Sequence, residues 1–281
     1  MIAILGGLGA AVCWAITSVF AQRASRVVGE LSTFAWAAVI GFCIAAVPAA
    51  VALSSSPPGT GTLVRLGCSG VLNVVGLTAQ FGALRRGSVS VVVPIASSEG
   101  AIAALIAAIA GSHLRPGGWV ALAVLLLGIL ITAGSQWSDD DGSKETLVPV
   151  GMAVFAALCF GAGIFLLGKG GQHAPLALAV VPPSLMGVLL VSLPMASTGR
   201  LASPRSSLGW LLGVGAAEIV GFVSYVLGAR HSVPIAAVLS AQYATISVLV
   251  GITILRERLV TAQAIGLLLT IGGVAFLSVL G

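Results

Sequence analysis

Charge is what this sequence has least of. Lys and Arg number 13 and Asp and Glu 8 in 281 residues, 7% of the chain, against roughly 25% in a soluble globular domain. That is too little ionic surface for a water-soluble fold. The connections between apolar runs are also too short for a separate soluble domain, which excludes most ATP-hydrolysing and DNA-binding designs. The basic residues, which leave the chain at net +5, stand singly or in pairs at the ends of apolar runs. They read as membrane anchors, and no nucleic-acid partner is expected. Cysteine is scarce too: Cys13, Cys43, Cys68 and Cys159 lie inside apolar runs without CxxC spacing, which excludes a disulfide framework or zinc site and leaves small packing residues. His113, His173 and His231 fall near run ends without metal-ligand spacing, so no metal or cofactor is expected. The run Asp139 to Asp141 lacks the downstream spacing of an EF-hand loop and reads as a solvated connector. Before the first apolar run there is no basic residue, and after it no small-residue cleavage site, so that run reads as a retained span and not a signal peptide.

What fills the chain is apolar: 58% hydrophobic residues, 37 glycines and a mean hydropathy of +1.13. Hydropathy predicts ten spans, near residues 2–21, 31–53, 63–84, 88–111, 117–134, 147–168, 174–195, 207–229, 232–255 and 261–280. The longest polar stretch, Ser135 to Thr146, separates five spans from five, giving a first unit over 1–134, a connector over 135–146 and a second unit over 147–281. A constant offset carries Gly70 onto Gly215, Asn73 onto Glu218, Gly76 onto Gly221, Arg85 onto Arg230, Leu114 onto Leu259 and Gly128 onto Gly273. An offset one residue longer carries Trp14 onto Phe160. The halves are copies, and an odd number of spans in each makes the second enter the membrane from the opposite side. The expected fold is therefore all-α integral membrane, ten transmembrane helices as two inverted five-helix repeats, with a site near the midplane.

The order of motifs carries a resemblance. A span ends in ALRRGSVSVVVP at Ala83 to Pro94, and the last is introduced by ILRERLVTAQAIGLLLTIGGV at Ile254 to Val274. With the five-plus-five spans, this resembles the EamA family of the drug/metabolite transporter superfamily over essentially the whole chain. The first copy departs from the pattern, having Ser112-His113-Leu114 where the second has Glu257-Arg258-Leu259. The resemblance implies export or exchange of small metabolites, amino acids or drugs without ATP, and peripheral fifth and tenth spans. It also implies both termini inside. The basic residues point the other way: Arg23, Arg26, Arg85, Arg86, Lys144, Arg200, Arg205, Arg256 and Arg258 follow odd-numbered spans, leaving Arg65, Arg115, Lys169 and Arg230 opposite, which puts the termini outside by the positive-inside rule.

Acid placement is the sharpest signal for a site. Glu30, Asp139, Asp140, Asp141, Glu145 and Glu257 lie in connections, whereas Glu99 and Glu218 fall mid-span with no basic residue at that depth. A charge at a helix centre costs about 2.5 to 3.5 kcal/mol, which favours the protonated acid and suits both groups to proton or cation coupling. The alternative is a neutral carboxyl bridging helices. Around Glu218, Gly215 and Gly221 suggest a small-residue hollow with Tyr225 at its end, matched in the first copy by Gly70, Asn73, Gly76 and Gln80. The repeat sets Gln242 and Tyr243 of the ninth span at the positions of Ser97 and Ser98, beside Glu99. Their amide and phenol groups suit a polar solute. Trp14 offers an apolar wall or a ring face for a cation, and Pro94 and the pair Pro182-Pro183 are expected to interrupt their spans. The candidate residues are therefore Glu99, Glu218, Asn73, Gln80, Tyr225, Gln242, Tyr243, Trp14 and Ser98, none of them catalytic. Packing and hydrogen-bonded glue between helices is the competing reading for each.

The functional expectation is a secondary carrier for a small polar or amphipathic metabolite, proton-coupled through Glu99 and Glu218, in the inner or plasma membrane of a bacterium as a monomer or homodimer. A lipophilic-cation exporter is the rival in the same class, disfavoured by the 6% aromatic content. A membrane enzyme acting on lipid-linked substrates is a rival from another class, and it lacks His or metal ligands at matching depth. A purely structural subunit leaves the two mid-span carboxylates without a purpose.

Overall fold

The computed structural model describes residues 1–86, 95–111 and 147–243, with isolated positions 92, 117, 119, 120, 123, 124, 127, 246, 265 and 269. The expected fifth and tenth spans, the polar connector, Pro94 and the Glu257 turn lie largely or wholly outside these residues. Among the described residues every regular element is helical. They are α1 (Ile2–Val28), α2 (Glu30–Ser55), α3 (Thr60–Leu84), α4 (Glu99–Ile109), α5 (Leu147–Gly171), α6 (Leu176–Ser197), α7 (Leu208–Ala229) and α8 (Val233–Ser240). Six of them, α1, α2, α3, α5, α6 and α7, are long and apolar enough to cross a membrane. The 27 residues of α1 span about 40 Å at 1.5 Å per residue, more than the roughly 30 Å hydrocarbon core.

Helix is the structure this composition requires, since in lipid each backbone N–H and C=O must be satisfied within its own segment. Side chains sort accordingly. Small residues such as Ala10, Ala11, Ala15 and Ala24 are buried, while Val47, Val51, Val64 and Ile109 are exposed. An apolar exterior over a small-residue interior is the pattern of helices packed in lipid. Only Gly29 separates α1 from α2. It takes φ +82°, a left-handed region that other residues avoid, and its carbonyl accepts from both the amide and the hydroxyl of Thr33.

The first helix of each half lies along the third helix of the other. On α1 and α7, Gly6 meets Gly228, Gly9 meets Ser224, Trp14 meets Gly221 and Phe20 meets Gly213, so the two run antiparallel. Backbone meets backbone at Gly6, where a Cβ would lie 2.5 Å from the Gly228 nitrogen. On α3 and α5 the same register recurs, with Gly82 against Met152, Gly76 against Phe160, Ser69 against Gly163 and Leu66 against Gly170. The second helices of the two halves, which are sequence equivalents, pair antiparallel as well. Gly41 of α2 meets Ser184 of α6, and further along Ser192 Oγ donates to Ala35 O at 2.9 Å. Gly100 of α4 meets Ala237 and Ala241 around α8.

Two expectations about spans need correction. Pro182 and Pro183 do not interrupt α6, which remains α-helical through Gly187 and widens into a π-helical turn only at Val188–Ser192. The prolines remove donors only to carbonyls near the start of α6, so the ladder beyond them is intact. The irregular turn instead carries Ser192 Oγ, 3.3 Å from Gly187 O. Nor do the glycines around Glu218 and Asn73 open a hollow. A Cβ on Gly215 would fall 2.7 Å from Ile40 Cγ2, on Gly221 2.5 Å from Trp14 Nε1, on Gly70 2.4 Å from Pro182 O and on Gly76 2.8 Å from the Phe160 ring. Neighbouring helices fill the space these glycines vacate, which is small-residue packing.

Candidate functional site

Within the expected fourth span the helix is broken. Ile95 and Ala96 are helical, Ser97 and Ser98 form a turn, and α4 starts afresh at Glu99. The turn closes with i to i−3 bonds, Ser98 N to Ile95 O at 3.2 Å and Ala101 N to Ser98 O at 3.1 Å. The ninth span breaks one residue before the repeat-equivalent place. After α8, Ala241 and Gln242 form a turn, Gln242 N donates to Leu239 O at 3.2 Å, and the ladder resumes with Ile246 N to Gln242 O at 3.0 Å. The two breaks touch, Gly100 lying against Ala241. Discontinuous helices at matching points of two repeats mark substrate and ion sites in carriers, because freed backbone groups and helix ends face the same centre.

Glu99 stands at this junction. It is 5% exposed, occupies the first turn of α4, where the helix dipole favours a negative group, and its backbone carbonyl adjoins Gly161 of α5. The chain has two tyrosines, Tyr225 and Tyr243. These two rings pack around Trp14. Tyr225 stacks on it with centroids 6.3 Å apart and planes at 29°, Tyr243 meets it edge-on at 6.3 Å, and Phe222 at 5.5 Å and 73° completes the cluster. Such offset and edge-to-face contacts hold rings in definite positions.

Hydrogen bonding narrows what each group offers. Tyr225 is fully buried, and its hydroxyl donates to Ile164 O at 2.8 Å, so it presents its ring rather than its phenol. Gln242, also buried, gives its Nε2 proton to Val238 O at 3.1 Å, and Ser98 Oγ donates to Ile95 O at 2.7 Å. Both side chains thus brace the carbonyls beside the two breaks. Trp14, Tyr225, Tyr243, Glu99, Ser98 and Gln242 are the candidates gathered at this junction.

The other three stand elsewhere. Glu218 is partly buried and lies two turns before Tyr225 on α7, about 10 Å along the axis. The register that sets Trp14 against Gly221 and Phe20 against Gly213 brings Thr17, whose buried hydroxyl lacks a partner, to the level of Glu218. Asn73 lines a cavity of about 10 Å3 with Ser69, Phe160, Gly163 and Phe222, room for one water, and its buried Oδ1 has no partner. Gln80 is partly buried two turns further along α3. Sequence reasoning passed over Phe222, Thr17 and a tie at one end of α7. There Arg230 donates from Nε to Gly171 O at 3.0 Å and from Nη2 to Ala174 O at 2.7 Å, and Gln172 donates to Ala229 O at 2.9 Å. The available signal was a basic residue just past a helix end, where terminal carbonyls lack donors.

A family model described as the EamA-like transporter family matches residues 1–134 and 148–279. A solved crystal structure of a protein superposes with a TM-score of 0.79 at 19% identity, covering 99% of this chain and 96% of that one. At that identity the likeness speaks for the fold alone. A search of curated proteins found no match.

Proposed function

Since the chain belongs to the EamA-like transporter family, multi-pass membrane transporters and not enzymes, we propose that it carries a small polar or amphipathic solute by alternating access between two inverted five-helix halves. The observation that carries this reading is the meeting of two broken helices at Gly100 and Ala241, beside buried Glu99 and the Trp14 cluster. The antiparallel pairing of the sequence-equivalent helices α2 and α6 supports an axis in the membrane plane. The spans over 117–134 and 261–280 complete ten. In this reading residues 1–134 and 147–281 are the moving units, with 135–146 linking them.

Glu99 is the coupling group. A carboxyl that binds a proton or a cationic solute, but not both, ties the two movements together. The walls are Trp14, Tyr225 and Tyr243, with Gln242 and Ser98 supporting the breaks. Glu218, Asn73 and Gln80 line the path away from the centre. A second reading, export of lipophilic cations, gains from one observation: Trp14, Phe222, Tyr225 and Tyr243 cluster at the junction that holds an acid, the arrangement that attracts a cation to ring faces. The test uses vesicles reconstituted with Glu99→Gln. Solute counterflow persists while pH-driven accumulation is lost. Wild-type pH dependence in Glu99→Gln, in Glu218→Gln and in the double variant refutes the coupling role. Accumulation of tetraphenylphosphonium in place of a metabolite mixture selects the second reading.

A further inference from the structure

We propose that the recess where the Phe20 end of α1 meets the start of α7 is a phosphate-binding site, taking the phosphate of a lipid headgroup or a free phosphate anion. The recess has a volume of about 390 Å3 and is lined by Phe20, Arg205, Ser207, Gly209 and Trp210, with no acidic residue among the described residues of its lining. It is separate from the aromatic junction. Phe20 faces Gly213 while Trp14 faces Gly221, about 12 Å apart along α7.

Three kinds of donor converge there. The first intrahelical bond of α7 runs from Leu211 N to Ser207 O at 2.9 Å, so the amides of Leu208, Gly209 and Trp210 come before the ladder and have no acceptor inside the helix. They sit at the positive end of a 22-residue helix, the arrangement that binds phosphate in many folds. Arg205 adds a full charge three residues ahead of Leu208. The third donor is a side chain, at the N-cap of α7. Ser207 is 2% exposed, lines the recess, forms no side-chain cap, and its hydroxyl has no hydrogen-bond partner among the described residues. A serine at this position ordinarily accepts from one of the first helical amides. Here hydroxyl and amides alike are left for an outside oxygen.

The recess is held in shape without a ligand. Trp36 Nε1 donates to Ala202 O at 2.9 Å, and Ala202 N donates to Ser32 Oγ at 3.3 Å, pinning the loop that carries Arg205 to α2. Phe20 and Trp210, with centroids 5.5 Å apart, form an apolar wall. Leu208, Trp210 and Leu212 are exposed beside it, the belt expected at a membrane interface. Acyl chains lying along that face bring a phosphodiester to the donors, and a free phosphate meets the same groups.

The probes are phosphatidylglycerol, diacylglycerol with the same chains, and inorganic phosphate, applied to the delipidated full-length protein. Native mass spectrometry reads lipid retention, and thermal shift reads phosphate binding. Arg205→Gln removes the charge. Gly209→Leu fills the recess from a position where a Cβ meets nothing within 4 Å, so it leaves the fold intact and carries the test should Arg205→Gln unfold. Wild-type protein retains phosphatidylglycerol over diacylglycerol, and each variant lowers that retention about tenfold, the scale of one charge-assisted hydrogen bond. Loss confined to phosphatidylglycerol assigns the site to a lipid headgroup, and loss confined to inorganic phosphate assigns it to a free anion. Equal retention of the two lipids together with no phosphate binding, or affinities unchanged in both variants, overturns the proposal.

Discussion

Replacing Gly221 by Ala tests the packing that builds the candidate site. The new Cβ would stand 2.5 Å from Trp14 Nε1 and 2.7 Å from its Cδ1. Ordinary contact begins near 3.4 Å, so the indole must retreat by about 0.9 Å, within the range of overpacking that costs about 1 to 3 kcal/mol. Retreat is obstructed because Phe222, Tyr225 and Tyr243 surround the ring, and Tyr225 is itself anchored through its hydroxyl to Ile164 O. At about 2 to 4 °C per kcal/mol for a chain of this size, the unfolding midpoint falls by roughly 2 to 12 °C. Gly76→Ala, the repeat equivalent, meets the Phe160 ring at 2.8 Å and falls less. Gly67→Ala meets nothing within 4 Å and holds or gains up to about 1 kcal/mol from helix propensity. Thermal unfolding of the purified variants in one detergent gives the ranking, and solute counterflow in vesicles reports the site. A Gly221→Ala protein with the midpoint and transport of the wild type refutes the α1 to α7 register and the aromatic cluster with it.

Tyr225→Phe removes the hydroxyl bond to Ile164 O, a carbonyl already inside the α5 ladder, and destabilises by about 0.5 to 1.5 kcal/mol, while the half-saturating solute concentration stays near wild type because that hydroxyl faces backbone. A large rise in that concentration with no loss of midpoint contradicts this. Asn73→Leu removes an unpartnered buried oxygen and fills the one-water cavity, so stability holds or rises by about 1 kcal/mol, and a drop in the midpoint shows that Asn73 is structurally bonded. Arg230→Ala frees Gly171 O and Ala174 O from their shared partner. Hydrogen exchange at the turn between α5 and α6 then rises while α3 is unaffected, and unchanged exchange at that turn refutes the tie.

Apolar length and spacing made the membrane spans legible in sequence, because lipid admits little except helices with internally satisfied backbones. The offset that carries Asn73 onto Glu218 and Trp14 onto Phe160 likewise revealed the repeat. Burial of Glu99 was legible too, since an acid inside an apolar run has nowhere else to go. Pairing was decided by the tertiary structure. A helix shows which residues share a face but not which helix covers it, so Gly215 and Gly221 looked like one hollow until Ile40 and Trp14 filled it. The breaks at Ser97-Ser98 and Ala241-Gln242 were equally hidden. No proline stands at the second, and residue type alone does not show that Gly100 and Ala241 meet there. Commitment of the Tyr225 hydroxyl to Ile164 O, and the orphaned hydroxyl of Ser207, depend on which carbonyl or amide a fold brings within 3 Å. Residue type states that a donor exists, and only packing chooses its partner.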